Sequence, residues 1–257
     1  MKLIIKLFTP LLVLSLLCAC GADAAAPTGT AAPEHGSVES NPDTTPADTT
    51  SPYPTPDKII ALTFDDGPNA HMGTILDVLA EYDAKASFYV IGRRIEGENS
   101  NIILRAFQEG HEIGSHSYSH EDMTIKSEAE ILNEIEMTQN AVKEVTGVEP
   151  VWYRPPFLKS NDLTYSLIEM PHASCAVSAG DGSNDNLPED RHYRVTTGAY
   201  DGAIVLLHCN DITAEVLPQI LHDLKMQGYE FVTTSELFAR VNKEFPATPG
   251  SMYKDNK

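Results

Sequence analysis

The chain has 257 residues, 42% of them hydrophobic and 21% charged, enough for one substantial domain with appendages. Asp and Glu number 37 against 18 Lys and Arg, a formal net charge of −19. A surface of that sign repels phosphate backbones and excludes nucleic acid as a partner, whereas a neutral carbohydrate is indifferent to it and a cation is attracted locally.

The chain begins with Lys2 and Lys6 ahead of a short apolar run, Leu11 to Leu17. That run is too short to span a bilayer comfortably and reads as a secretory signal over residues 1–20. Leu17-Cys18-Ala19-Cys20-Gly21 resembles a bacterial lipoprotein cleavage box with Cys20 as the lipidated residue. The expected location is extracytoplasmic, lipid-anchored to the bacterial cell membrane, because a lipid tethers a protein without making it span. Residues 21–57 are rich in Ala, Pro, Thr, Ser and Asp, a composition that buries too little apolar surface to fold and reads as an extended tether. Beyond the signal only Cys175 and Cys209 remain. Spacing alone does not show whether they approach, and two semi-buried thiols are expected.

From Lys58 the pattern becomes short apolar runs alternating with amphipathic stretches. Lys58–Phe64 predicts a buried strand, Gly73–Tyr82 a helix, Ala86–Ile91 a second strand, and 101–109 a second helix. Ser127 and Glu130 have capping-box spacing, and Ile131, Ile135, Val142 and Val145 fall on one helical face before Gly147. Further strands are expected at Val151–Arg154, Ala173–Ser178, Ala203–His208 and Glu230–Thr233. This alternation indicates a parallel sheet with outer helices, open or closed into a barrel. The domain is expected to span 58–245 and to leave a polar tail at 246–257.

Four groups of residues carry chemistry. Asp65-Asp66-Gly67-Pro68 sets two carboxylates at the end of an apolar strand, awkward unless a cation or an Arg separates them. Gly67-Pro68 forces a turn that exposes them at the strand's C-terminal end, where parallel α/β folds place their sites. His116 and His120 are spaced to share a metal from one face of a helical turn. Arg154-Pro155-Pro156-Phe157 reads as a rigid extended loop whose Arg154 can pair with a buried carboxylate. Ile204–His208 is a buried strand ending in a histidine placed to act as acid or base.

Taken in order, Asp-Asp-Gly-Pro, His-x-x-x-His, Arg-Pro-Pro-Phe and Leu-x-His resemble the NodB-homology polysaccharide deacetylases, also called carbohydrate esterase family four. The resemblance covers roughly Lys58 to Phe245 and implies a distorted (β/α) barrel. It implies Asp66, His116 and His120 as ligands of one divalent metal, zinc or else cobalt, with open positions for water and substrate. Asp65 is implied as general base, Arg154 as the group that orients it, and His208 as general acid. The Phe157 backbone N–H is implied as an oxyanion donor. The partner is then an acetylated polysaccharide, such as peptidoglycan, xylan or chitin oligomers, and the protein is read as a monomer.

The chain departs from the family at the fourth motif, which usually joins an Asp to a Trp. Trp152 is the only Trp, and the region reads Gly180-Asp181-Gly182-Ser183-Asn184-Asp185-Asn186. Aligning Asn184-Asp185 with the Asn-Asp before that Trp makes Asp185 the expected partner of His208, with Asp181 second. Loss of the Trp leaves an alternative reading open, a carbohydrate-binding surface lipoprotein with weak or no catalysis.

Overall fold

Strand β1 (Lys58–Gly67) organises the domain because it is long enough to be paired twice along its length. Its first residues pair with β7 (Tyr229–Phe231), and its later ones with β2 (Ser87–Val90) and β6 (Ile204–His208), all in parallel. The structure, a computed structural model, describes residues 51–182, 187–240 and 250–255. All of these lie in the second of two compact units, Pro46–Lys257.

The remaining elements follow in chain order. Helix α1 (Ala70–Glu81) leads to β2, and α2 (Glu98–Gln108) leads to β3 (Glu112–Ser115). Then come α3 (Glu128–Thr146), α4 (Asp162–Leu167), β4 (His172–Ala173) and β5 (Val177–Ser178). Helix α5 (Pro188–Gly198) precedes β6, and α6 (Asp211–Met226) precedes β7; α7 (Thr234–Ala239) and β8 (Met252–Tyr253) complete the set. The expected capping box forms at α3, where the Glu130 carboxylate accepts from both the Ser127 N–H and its hydroxyl.

The sheet runs β3-β2-β1-β6-β5, and single bridges carry it around into a barrel. Ser115 bridges to Tyr153 and Tyr153 to His172; β4 then pairs with β8, and Asp255 bridges back to Ala203 beside β6. The expected distorted (β/α) barrel is therefore present, but the stave that closes it comes from the stretch expected to be a polar tail. Tyr253 packs edge-on against Trp152 and Phe238 inside the barrel. The predicted strand at Val151–Arg154 is reduced to the bridging Tyr153, and the one at Ala173–Ser178 is split into β4 and β5. Phe245, where the domain was expected to end, lies outside the described residues.

Strand alternation sorts the side chains. Ile60, Leu62 and Phe64 of β1 face the helices and join Leu76 and Leu79 of α1 and Leu217, Ile220 and Leu224 of α6. Each such buried side chain contributes about 1.5–3 kcal/mol. The other face points down the barrel axis, where Ala61, Tyr89, Trp152, Ile204 and Phe238 fill the interior. Asp65 and His208 belong to this inward series and are register partners on adjacent strands, so they emerge together at the C-terminal mouth.

The opposite end revises the expected tether boundary. Tyr53 packs against Tyr82 and His222, and its hydroxyl lies 3.2 Å from His222 Nδ1. Residues from Ser51 onward thus lie on the domain rather than in an extended spacer, while 1–50, with Cys20 and the signal, lie outside the described residues. No described helix is long and apolar enough to cross a membrane.

Candidate active site

The mouth holds a cavity of about 400 Å³ lined by Asp65, Asp66, His116, His120, Phe157 and His208, with Gly182 and Leu206 beside His208. Unusual backbone marks the place. Asp66, Ser117, His120, Phe157 and Leu158 all have φ between 55° and 67°; among the described non-glycine residues with positive φ, only Asp83 lies elsewhere. Left-handed conformations of this kind cost roughly 1–3 kcal/mol each and persist where surrounding structure imposes them.

At Asp66 the cause is a bulge. The register of β1 against β2 slips between Asp65 and Gly67, so one extra residue is accommodated and consecutive carboxylates diverge. Asp65 stays inward and buried, Asp66 turns towards the two histidines, and the Arg94 guanidinium fixes the Asp66 carbonyl. His116 follows β3 directly, with its N–H on the Val90 carbonyl. His116 and His120 do not lie on a helical turn, as their spacing had suggested. Left-handed Ser117 and His120 fold the segment into a loop that brings the rings to 4.8 Å.

Asp66, His116 and His120 present one ligand atom each, all within 4.8 Å of one another. Asp66 Oδ1 is 3.3 Å from His120 Nε2 and 3.8 Å from His116 Nε2. Three features fit this set to a divalent cation. Asp66 Oδ1 is buried with no hydrogen-bond partner, an arrangement that is costly unless something else satisfies it. His116 Nδ1 lies 2.7 Å from the Arg154 carbonyl, which fixes its proton there and leaves the Nε2 lone pair facing Asp66. Burial, and then the neighbouring His116, hold His120 below its ordinary pKa, favouring the neutral imidazole a metal requires.

Asp65 is held from the other side. Arg154, fully buried, donates to Asp65 Oδ1 at 2.8 Å and to the Thr63 hydroxyl at 2.7 Å. Its Nε donates to the Ala173 carbonyl and its Nη2 to the Ser174 carbonyl, and its guanidinium lies 4.1 Å above the Tyr89 ring. Burial would lower the Arg154 pKa, but Asp65 outweighs it and the net shift is upward. An ion pair this deep is a poor source of net stability, yet removing one partner strands the other charge.

His208 Nδ1 lies 2.8 Å from Asp181 Oδ1. Asp181 Oδ2 accepts from the His208 N–H at 2.7 Å and from the Thr213 hydroxyl at 2.6 Å. The second-ranked Asp181 therefore occupies the position expected for Asp185, which lies outside the described residues. The physical reason is local: β6 runs beside the chain that leaves β5, and Ala179 and Asp181 bond it in succession. Gly182 then passes over the imidazole, where a Cβ would sit 3.1 Å from His208 Cε1. Burial pulls the His208 pKa down, but the Asp181 bond and charge prevail and leave it raised. Asp181 shows the reverse: burial pushes it up, and His208 with Thr213 brings it below the ordinary carboxylate value.

Phe157 sits at the rim, its ring edge-on to His120 at 4.8 Å, in a turn closed by the Leu158 N–H on the Pro155 carbonyl. Sequence reasoning missed Glu134 of α3, which is buried and accepts from the Tyr118 and Ser119 N–H groups beside the histidine pair. A charged residue on the apolar face of a helix was the signal. Among the described residues both cysteines, Cys175 and Cys209, are free thiols; Cys209 is buried and Cys175 partly buried.

A closed barrel with polar groups gathered where its strands end is the arrangement of (β/α)-barrel enzymes. Comparison with known proteins narrows the class. A profile described as polysaccharide deacetylase matches residues 53–171. A peptidoglycan-N-acetylglucosamine deacetylase from Bacillus cereus is 36% identical over 72% of this chain and 90% of its own. A bifunctional xylanase/deacetylase from Pseudobutyrivibrio xylanivorans is 40% identical over 70% of this chain, which spans only 30% of that larger protein. Among solved structures, a family 4 acetyl xylan esterase from Clostridium thermocellum in complex with a cobalt ion superposes with a TM-score of 0.74. It is 35% identical and covers 77% of this chain and 98% of its own. The chain belongs to the polysaccharide deacetylase family, carbohydrate esterase family four.

Proposed function

We propose that the protein is a metal-dependent hydrolase that removes acetyl groups, on nitrogen or oxygen, from an extracellular polysaccharide. In this reading it is held to the bacterial membrane by lipid on Cys20. The observation that carries the catalytic part is the convergence of a metal-donor triad, a buried carboxylate and a carboxylate-backed histidine on one cavity. Peptidoglycan, xylan and chitin oligomers are the candidate substrates. The first two appear in the names of similar proteins, in which the deacetylase region is in places a fraction of a longer chain.

Asp66, His116 and His120 would hold the ion. When bound, zinc or cobalt supplies a Lewis acid for the acetyl carbonyl and eases deprotonation of water. The chain's own residues do the rest. Asp65, its Oδ1 committed to Arg154, takes a proton from the attacking water as the oxygen bonds to the acetyl carbon. The Phe157 N–H stabilises the oxyanion. His208, whose protonated form Asp181 favours, delivers a proton from Nε2 to the leaving amine or alkoxide as its bond to carbon breaks, giving acetate and the free sugar group.

The test is acetate release by the purified chain across a panel of acetylated peptidoglycan, xylan and chitin oligomers, alongside zinc content per chain. Asp65→Asn should retain zinc and lose roughly 10²–10⁴-fold in rate. Unchanged release in that variant removes Asp65 as the base. Zinc uptake by the wild type with no release from any glycan would favour binding without turnover.

A further inference from the structure

Between β3 and α3 the backbone makes an unusual set of commitments. The His116 N–H goes to the Val90 carbonyl, and the Ser117 and Tyr118 carbonyls accept from Gly92 and Arg93 after β2. The His120 N–H goes to the Ser117 hydroxyl. The Tyr118 and Ser119 N–H groups, between the two histidines, both end on a single oxygen, Glu134 Oε2, at 2.9 and 2.8 Å. Glu134 comes from another element and is 8% exposed, on the α3 face that otherwise buries Ile131, Ile135, Thr138 and Val142.

A carboxylate in that position is penalised by burial, with Lys126 Nζ 4.0 Å from its Oε1 as a distant counter-charge. Its oxygen does, however, collect two adjacent N–H groups at once, as anions do in backbone concavities. The loop it serves carries two left-handed residues, Ser117 and His120. Such backbone keeps its shape only where neighbours over-determine it. Gly92 and Arg93 hold the carbonyl side of the loop, and Glu134 holds the N–H side. Gly92 also sits so close to Tyr118 and Thr138 that a Cβ there would meet each at 2.8 Å, which fixes α3 against the same loop.

We propose that Glu134 is a positioning residue for the metal-donor set, acting through its reach to the Tyr118 and Ser119 N–H groups rather than through its charge. This inference rests on the metal-dependent reading above. With Glu134 in place, His120 stands opposite Asp66 without a search; without it, the His116–His120 segment must be ordered by the ion itself, and affinity falls. Outer supports of this kind are typically worth about 10–100-fold in metal affinity.

Two substitutions separate reach from charge. Glu134→Gln keeps an acceptor oxygen at the same distance and removes the charge, whereas Glu134→Asp keeps the charge and withdraws it by one methylene. The measurement is zinc affinity of the full chain by competition with a chromogenic chelator, with circular dichroism to confirm folding of both variants. Glu134→Gln should stay within about threefold of wild type, and Glu134→Asp should bind about tenfold more weakly or worse. Equal affinity of the two variants, or the reverse order, overturns the proposal. A wild type that takes up no zinc overturns the metal reading and this inference with it; zinc bound by wild type and alike by both variants overturns this inference alone.

Discussion

His116 directly follows one strand of the barrel and His208 ends another; both face one cavity, and the proposed mechanism gives them opposite tasks. In each the Nδ1 atom is committed and Nε2 is left for chemistry. The difference is the acceptor. His116 Nδ1 meets the neutral carbonyl of Arg154, whereas His208 Nδ1 meets the carboxylate of Asp181. A neutral acceptor fixes the tautomer and leaves the lone pair available to a cation. A charged acceptor stabilises the imidazolium and raises its pKa. In the proposed mechanism the same residue type would serve as a ligand or as an acid according to the charge of its second neighbour.

The comparison breaks most completely at the ligand. His116→Ala should abolish stoichiometric zinc uptake, read by metal analysis after dialysis, and acetate release should fall to background. Retained zinc would remove His116 from the donor set. His208→Ala should separate the two tasks, keeping zinc while the rate falls roughly 10²–10⁴-fold; loss of zinc in this variant would mean that His208 is a ligand after all.

The smallest and most diagnostic change is Asp181→Asn. His208 must be protonated to act as an acid, so activity is lost as pH rises through its pKa. Asp181 raises that pKa, and removing the charge should move the alkaline limb of the rate–pH profile to lower pH while zinc binding holds. An alkaline limb that does not move would assign it to another group. A limb that moves with unchanged rate at low pH would confine the role of Asp181 to keeping His208 charged.

The same contrast explains what could be read beforehand. Asp65, Asp66, His116 and His120 were legible because strand-end position and short spacing are local properties of the chain. Their geometry was not: His116 and His120 have the spacing of a helical turn, but Ser117 and His120 adopt left-handed backbone because Gly92, Arg93 and Glu134 hold the loop that way. The partner of His208 stayed between Asp185 and Asp181 because counting along a motif favours Asp185, whereas hydrogen bonding of the chain after β5 alongside β6 brings in Asp181. Tyr53 and Tyr253 were set aside with the tether and the polar tail. A single aromatic side chain can dock a polar segment that has no apolar periodicity of its own.

By itself, the sequence determined the alternation of strands and helices, the capped α3, and the residue types at the mouth, because periodicity, capping and strand ends are encoded over a few residues. Tertiary structure alone decided closure of the barrel by Met252–Tyr253, the bulge that separates Asp65 from Asp66, and the pairing of His208 with Asp181. Each of these joins stretches to partners fixed by strand register, and register is a property of the assembled sheet.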